Sequence, residues 1–191
     1  MNEFENFWTL VLEVWNNGFG GINVGQLLTA SALLIFFLLI RRLFTQLVMS
    51  RIKNLATKTD TTFDDDAINA LENPIRFIPV VLGIFFATQY LELSGLFEEL
   101  AEKLVRSLIA FTIFWGFLQL LHPLSRFTAR IEAHLTHELV EWIIKAIRVA
   151  IILIGVATIL QIWGIQVAPI IAGAGLFGVA VALGAQDLFK N

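Results

Sequence analysis

The sequence contains no cysteine among its 191 residues. That absence excludes disulfide bonds, thiolate metal sites and a cysteine nucleophile within this chain. Charged residues are also scarce, because Asp, Glu, Lys and Arg together make up 15% of the chain. The net charge of −3 gives no indication of a nucleic-acid partner.

Apolar residues are abundant instead, at 57% of the chain, and they occur in long blocks. This composition is typical of a membrane protein. A helix rises about 1.5 Å per residue and the bilayer core is about 30 Å thick, so one span needs roughly 20 residues. Five segments meet that need, near residues 24–48, 75–93, 104–124, 143–162 and 169–188. The predicted fold is all-α, a polytopic transmembrane helical bundle with five spans.

Two of the span boundaries follow from local chemistry. The third span is expected to end at His122 and Pro123, because proline disfavours helical geometry in the residue before it. The 38 residues 149–186 contain no charge. As one helix they would extend about 57 Å, so they must fold back once. The turn is predicted in the sequence QIWGIQVAP, with Trp163 at interface depth, Gly164 as a helix cap and Pro169 in the next first turn.

The distribution of basic residues predicts the orientation of the spans. Eleven of the 13 Lys and Arg residues fall on one predicted side, and only Lys103 and Arg106 fall on the other. Since basic residues favour the cytoplasmic side, the N-terminus is predicted outside and the C-terminus in the cytoplasm. The polar segment near 51–74 is accordingly predicted to be a cytoplasmic loop.

Residues 1–22 are predicted to form an amphipathic helix in the outer membrane interface, with packing on neighbouring protein as the alternative. Its apolar residues recur at helical spacing: Phe4, Phe7, Trp8, Val11, Leu12 and Trp15.

No motif predicts an enzyme, a cofactor or a metal. The run 64–66 of three aspartates lacks the ligand spacing of a calcium loop and is better interpreted as a helix N-terminus. His134 and His137 are spaced to share one helical face, but no third ligand or paired carboxylate can be identified for them. A surface or interface role is therefore favoured for these two and for His122. The chain has no nucleophile elbow, phosphate loop or dinucleotide fingerprint. The last two spans also have no ionisable residue at mid-membrane, where ion-coupled transporters usually have one.

The last span is rich in small residues, with ten Gly or Ala among residues 168–185. Small residues let membrane helices approach closely. Each glycine costs roughly 1 kcal/mol of helix stability relative to alanine, so close contacts must compensate for four of them. Leu176, Val179 and Leu183 share one face and would form a narrow apolar constriction in a ring of helices. A buried helix in a monomeric transporter or packed bundle explains the composition equally well.

Residues 164–191 read GIQVAPIIAGAGLFGVAVALGAQDLFKN. This segment resembles the pore-helix signature of the small-conductance mechanosensitive channel (MscS) family. It matches in the turn glycine, in the Gly/Ala rhythm and in Gln-Asp followed by Lys-Asn. The resemblance implies a homoheptamer in the bacterial inner membrane. Such a channel opens under membrane tension and releases ions and small solutes on hypoosmotic shock.

The resemblance also implies roles for individual residues. The constriction would be formed by Val179 and Leu183. Some members kink the pore helix at a glycine where this chain has Asp187, so Gly184, Gln186 and Asp187 become the hinge candidates. The helix-packing positions would be the small residues Ala172, Gly175, Gly178, Ala180 and Ala182.

On this interpretation residues 1–22 are the interfacial helix, 23–162 hold four lipid-facing spans, and 163–191 form the pore-lining helix. The family continues into a cytoplasmic domain, so the chain is expected to be part of a longer protein. Its expected partners are the bilayer, copies of itself, and permeating ions and small solutes. The alternative function is a secondary transporter, or a membrane subunit that binds a solute at mid-membrane.

Overall fold

A computed structural model of the chain describes residues 2–17, 23–56, 62–128 and 137–189. Those residues are mostly helical and contain no strand. The helices are α1 (Asn2–Asn17), α2 (Val24–Ala56), α3 (Thr62–Tyr90), α4 (Leu96–Thr128), α5 (His137–Ile162) and α6 (Ala168–Phe189). Four segments are long and apolar enough to cross a membrane: Val24–Asn54, Asp66–Tyr90, Leu96–Leu121 and Val140–Ile162. The predicted all-α membrane bundle is confirmed.

The fifth predicted span corresponds to α6. This helix has 22 residues, which gives a length of about 33 Å, close to the thickness of the bilayer core. Its described apolar stretch, Ala168–Gly184, is shorter than the other four. The count of five spans therefore stays a prediction.

The helices form an open row. Helix α2 packs on α3, α3 on α4 and α4 on α5, while α1 contacts α2. Within the described residues, no packing between α2 and α5 closes the row into a ring. Helix α6 packs on none of the other five helices there. Among the described residues, α2–α5 thus form a packed row with α1 against α2, and α6 lacks a partner.

Glycines allow the close contacts within the row. A Cβ atom added to Gly83 of α3 would lie 2.8 Å from the Cβ of Phe37 on α2. One added to Gly155 of α5 would lie 3.0 Å from the ring of Phe114 on α4. Between membrane helices, where the hydrophobic effect gives little attraction, such close packing supplies much of the association energy. An aromatic side chain over a glycine therefore holds each of these two pairs together.

A buried cluster joins the second half of α2 to the first half of α3. Helix α2 has 33 residues, so it extends about 50 Å and exceeds the bilayer core. It continues past Arg41 and Arg42. Met49 packs with Ile68 and Ile75 of α3 in a buried cluster. Contact among these apolar side chains helps to hold α2 on α3.

The predicted polar loop near 51–74 is mostly helical in the structure. Helix α2 ends at Ala56 and α3 begins at Thr62. The aspartates at 64–66 lie in the first two turns of α3, which confirms their interpretation as a helix N-terminus. Negative side chains there interact favourably with the helix dipole. The connection is shorter than predicted because α2 and α3 both continue into this segment as helices.

The apolar span within α4 ends at Leu121, next to the predicted end at His122 and Pro123, but the prediction that the helix also ends there is wrong. Helix α4 continues through Pro123 to Thr128. The proline is buried. A proline inside a helix removes one backbone hydrogen bond, and membrane helices tolerate this where neighbouring groups satisfy the freed carbonyl. Tertiary packing therefore overrides the local preference at this position.

Helix α1 confirms the helix predicted within residues 1–22. Its described apolar side chains are exposed to the surroundings: Phe4, Phe7, Trp8, Val11 and Leu12. Trp15 lies in the same helix, but its side chain is outside the described part. The position of α1 in the outer interface stays a prediction.

We expect Gly83→Ala to destabilise the row, because its methyl group would overlap Phe37 and push α2 away from α3. Overpacking of this kind costs about 1 to 3 kcal/mol. Gly116→Ala is the matched control, since a Cβ there would be an ordinary 3.7 Å from Leu71. Thermal denaturation in detergent measures both variants. A Gly83→Ala protein that melts no earlier than the Gly116→Ala protein would contradict this account of the packing.

Candidate functional site

A capped turn connects α5 to α6. Helix α5 ends at Ile162, and Gly164 has a φ of 84°. The N–H of Ile165 donates to the carbonyl of Leu160 at 3.0 Å, and the N–H of Gly164 donates to that of Gln161 at 3.0 Å. This pair of hydrogen bonds is a Schellman motif, in which glycine accepts the left-handed conformation without strain. The predicted turn and its glycine cap are confirmed.

Helix α6 begins directly after this turn. Its first residue is Ala168, and Pro169 occupies the first turn, as predicted. Proline suits this position because its missing N–H would have no partner inside the helix. The N–H of Ile171 donates to the carbonyl of Val167 at 2.9 Å and so begins the helical hydrogen bonding. The entry to α6 is therefore well defined by backbone chemistry.

One face of α6 carries the larger side chains predicted for a constriction. A helix turns about 100° per residue, which places Leu176, Val179 and Leu183 together on one face. Their exposed fractions are 73%, 57% and 61%. Ala172 lies on the same face, one to two turns before Val179. Nothing in the chain itself covers this face among the described residues.

Small residues line both flanks of that face in the middle of the helix. On one flank lie Gly175, Gly178 and Ala182, and on the other lie Gly173, Ala180 and Gly184. Bulky side chains occupy the side opposite the constriction face, where Ile170 and Phe177 are exposed. Helix α6 therefore has four distinct sides. Two of them suit close approach of another backbone.

The glycines of α6 have no close neighbour among the described residues. A Cβ added to Gly173, Gly175, Gly178 or Gly184 would meet nothing within 4 Å. The row differs sharply, because Gly83 and Gly155 each face an aromatic ring of the adjacent helix. Helix α6 thus has the composition of a closely packed helix, but no other described helix packs on it.

The three hinge candidates lie within an unbroken helix. Helix α6 continues through Gly184, Gln186 and Asp187 to Phe189. The helix has no break at these positions in this conformation. The side chain of Asp187 lies outside the described part of the chain. A hinge role for any of the three stays a prediction.

A hydrogen bond between helices, which the sequence did not reveal, joins the capped turn to α4. The indole Nε1–H of Trp163 donates to Oγ of Ser107 at 3.0 Å. The Ser107 hydroxyl in turn donates to the carbonyl of Lys103 at 2.7 Å. The sequence did contain one indication of this pair. Ser107 follows Arg106 at the start of the uncharged stretch of α4, and this stretch begins at the same interface depth that is predicted for Trp163.

The histidine and aspartate candidates form no site in the described part of the chain. No group of three or more His, Cys, Asp or Glu side chains there could hold a metal ion. His134 lies outside the described residues. His122 and His137 lie in helices, but their side chains are outside the described part.

The chain is similar to proteins of one family along most of its length. The family model for "Mechanosensitive ion channel, transmembrane helices 2/3" matches residues 145–186, which cover most of α5 and α6. An uncharacterized MscS family protein of Aquifex aeolicus is 29% identical over 176 residues, covering 90% of this chain and 47% of the relative. The uncharacterized MscS family protein YhdY of Bacillus subtilis is 31% identical over 173 residues, covering 88% and 47%.

A third relative carries a functional name. The small-conductance mechanosensitive channel MscMJ of Methanocaldococcus jannaschii is 25% identical over 187 residues, covering 94% of this chain and 51% of the relative. No solved structure matches the chain. The chain spans about half the length of the curated relatives it matches.

These similarities include both the helical row and α6, and they agree with the membrane-spanning helices of the structure. Members of this family are multi-pass membrane proteins and channels rather than enzymes. The chain belongs to the MscS family of mechanosensitive channels.

Proposed function

We propose that this chain forms the membrane part of an ion channel that opens under membrane tension and releases ions and small solutes on hypoosmotic shock. The observation that carries the proposal is the unpartnered state of α6. Its four glycines face open space, while the glycines of the row contact aromatic side chains. Other copies of α6 are the partners that its two small flanks fit.

A ring of α6 helices gives three sides of the helix a role. Each helix lays one small flank against the other small flank of the next copy, a head-to-tail contact that closes into a ring. The face with Val179 and Leu183 then lines the central axis. A ring of such side chains is apolar and narrow, and it blocks ions by excluding water. We assign the constriction to these two residues and the number of copies to seven.

Tension opens the channel because it favours the state that occupies more membrane area. The row α2–α5 supplies the surface on which the bilayer acts. Large apolar side chains are exposed along it, among them Leu39, Phe117 and Leu153. An apolar groove of about 660 Å³ between α2 and α3 adds to this surface. In this scheme α1 rests in the outer interface and braces the first span.

The membrane is the bacterial inner membrane in this proposal, with the N-terminus outside and the C-terminus in the cytoplasm. The short turn at 91–95 and the capped turn after α5 then lie outside. The last residues of α2 and the first residues of α3 then lie in the cytoplasm.

The open row also weighs against the secondary transporter. A transporter of this size would enclose its substrate between helices of one subunit, near mid-membrane. In the described residues α6 is not enclosed by α1–α5. If the chain were such a transporter, the small residues of α6 would have no packing role.

We expect Val179→Ser and Leu183→Ser to open at lower tension, because a hydroxyl in the constriction stabilises water there. Patch recording of the full-length protein under graded suction measures the midpoint tension. Phe177→Ser is the control, since it changes the opposite side of the helix. Absence of any tension-activated current in the unmodified protein would refute the channel. Equal midpoints for all three variants would refute the assigned constriction.

We expect Gly175→Leu and Gly178→Leu to prevent normal assembly, because a branched side chain keeps neighbouring helices apart. The mass of the detergent-solubilised full-length protein should correspond to seven copies and should fall in these variants. Phe177→Leu, on the bulky side of α6, should leave the mass unchanged. A normal mass and normal gating in both glycine variants would contradict the ring.

We expect Ser94→Cys, in the turn before α4, to react with a membrane-impermeant maleimide in intact cells. Lys53→Cys, near the end of α2, should react only after the cells are permeabilised. The reason is the strong bias of basic residues toward one side. This chain has no cysteine of its own, so unmodified full-length protein gives the background. The reverse labelling pattern would overturn the orientation.

A further inference from the structure

We propose that Trp163 and Ser107 couple α4 to the outer end of α6, so that movement of the lipid-facing row reaches the pore helix through their hydrogen bond. Both are positioning residues, since neither lies on α6. The inference rests on the proposed channel function. It adds a specific point of transmission between the part that the bilayer contacts and the part that closes the pore.

The Ser107 hydroxyl accepts one hydrogen bond and donates another, and the direction of each is fixed. The indole Nε1–H is only a donor, so Oγ of Ser107 must accept. The Ser107 proton is used in the bond to the Lys103 carbonyl at 2.7 Å. This bond fixes the rotation of the hydroxyl and leaves its oxygen lone pairs for Trp163, 3.0 Å away. Ser107 is therefore set in place by its own helix before Trp163 binds to it.

The backbone of Trp163 is also fixed by hydrogen bonds. Its backbone N–H donates to the carbonyls of Ile159 and Leu160, at 3.2 and 3.1 Å. The next residue, Gly164, forms the Schellman turn. Helix α6 starts only five residues after Trp163, at Ala168. A displacement of the Trp163 backbone is thus passed through a short, hydrogen-bonded segment to the first turn of α6.

The hydrogen bond between Trp163 and Ser107 matters because of the way α6 is connected to the row. Within the described residues α6 contacts none of the other helices, so the capped turn is its connection to the row. Helix α5 packs on α4 further along, where Gly155 faces Phe114. The bond to Ser107 adds an anchor at the end of α5 that lies next to α6. It keeps this end from sliding along α4 when the row moves.

A simpler role for Trp163 is that of an interfacial anchor, which the depth of the residue also suits. Trp163 is 43% exposed, so part of its ring is free to contact lipid headgroups. The two roles differ in one measurable respect. An interfacial anchor acts independently of Ser107, whereas coupling requires both partners of the hydrogen bond.

The test is a double-mutant cycle in the full-length protein, recorded in membrane patches under graded suction. Ser107→Ala removes the acceptor, and Trp163→Phe keeps an aromatic ring without the donor. We expect each to raise the midpoint tension with unchanged single-channel conductance. At fixed tension the ratio of open to closed channels should fall at least about threefold, the effect of losing one net hydrogen bond, and further if the bonds of the seven copies act together. The double variant should shift no further than the larger single shift.

Three control variants complete the test. Ser107→Thr keeps the hydroxyl and should gate like the unmodified channel. Thr112→Val removes a hydroxyl that bonds to its own helix, at the Leu108 carbonyl, and should leave the midpoint in place. Trp142→Phe changes a tryptophan at the other end of α5 and should do the same. Oligomer mass, measured for every variant, shows that assembly is intact.

Additive shifts in the double variant would overturn the coupling and favour the interfacial anchor. Unchanged or lowered midpoints in both single variants would overturn it as well, while leaving the channel function standing. If the unmodified protein passed no tension-activated current, both the channel and the coupling would fail.

Discussion

Close contact between helix backbones is the constraint on which this structure depends. Inside a bilayer the surroundings are as apolar as the helices, so burial of apolar surface does not drive helices together. The row meets this constraint with glycines that receive bulky neighbours. Gly83 receives Phe37, Gly155 receives Phe114, and Gly116 lies beside Leu71. Each contact uses one small and one large residue, and each joins helices that are consecutive in the chain.

Helix α6 has four glycines, more than any single helix of the row, but these glycines contact no described side chain of another helix. Four glycines in one helix would be a net cost to a lone helix, since each lowers helix stability by roughly 1 kcal/mol. In the row, a glycine is compensated by the ring that packs on it. The same compensation for α6 has to come from outside the chain. The open sides of α6 are thus a physical argument for assembly that is independent of sequence similarity.

Features that depend on neighbouring residues could be predicted from the sequence, and features that depend on distant residues could not. The turn at Gly164 and the start of α6 near Pro169 follow from backbone preferences, and both were predicted. The faces of α6 follow from helical periodicity. The pairing of Gly83 with Phe37, or of Trp163 with Ser107, depends on how separate helices align. Pro123 shows the converse, since a local preference for a helix end was overridden by packing.

Helices α2 and α3 are held together by two kinds of contact, and this difference bears on the proposed gating. The second half of α2 and the first half of α3 pack in the buried cluster of Met49, Ile68 and Ile75. Further from the cluster, Gly83 lies against Phe37, a contact that depends on a close fit between the two helices. In the proposed channel, tension acts on the lipid-facing surface of the row, while the buried cluster resists separation of α2 from α3. Movement of the row would then be largest at the ends of the helices away from the cluster. In the predicted orientation this is the outer side, where the α5–α6 turn and its bond to α4 lie.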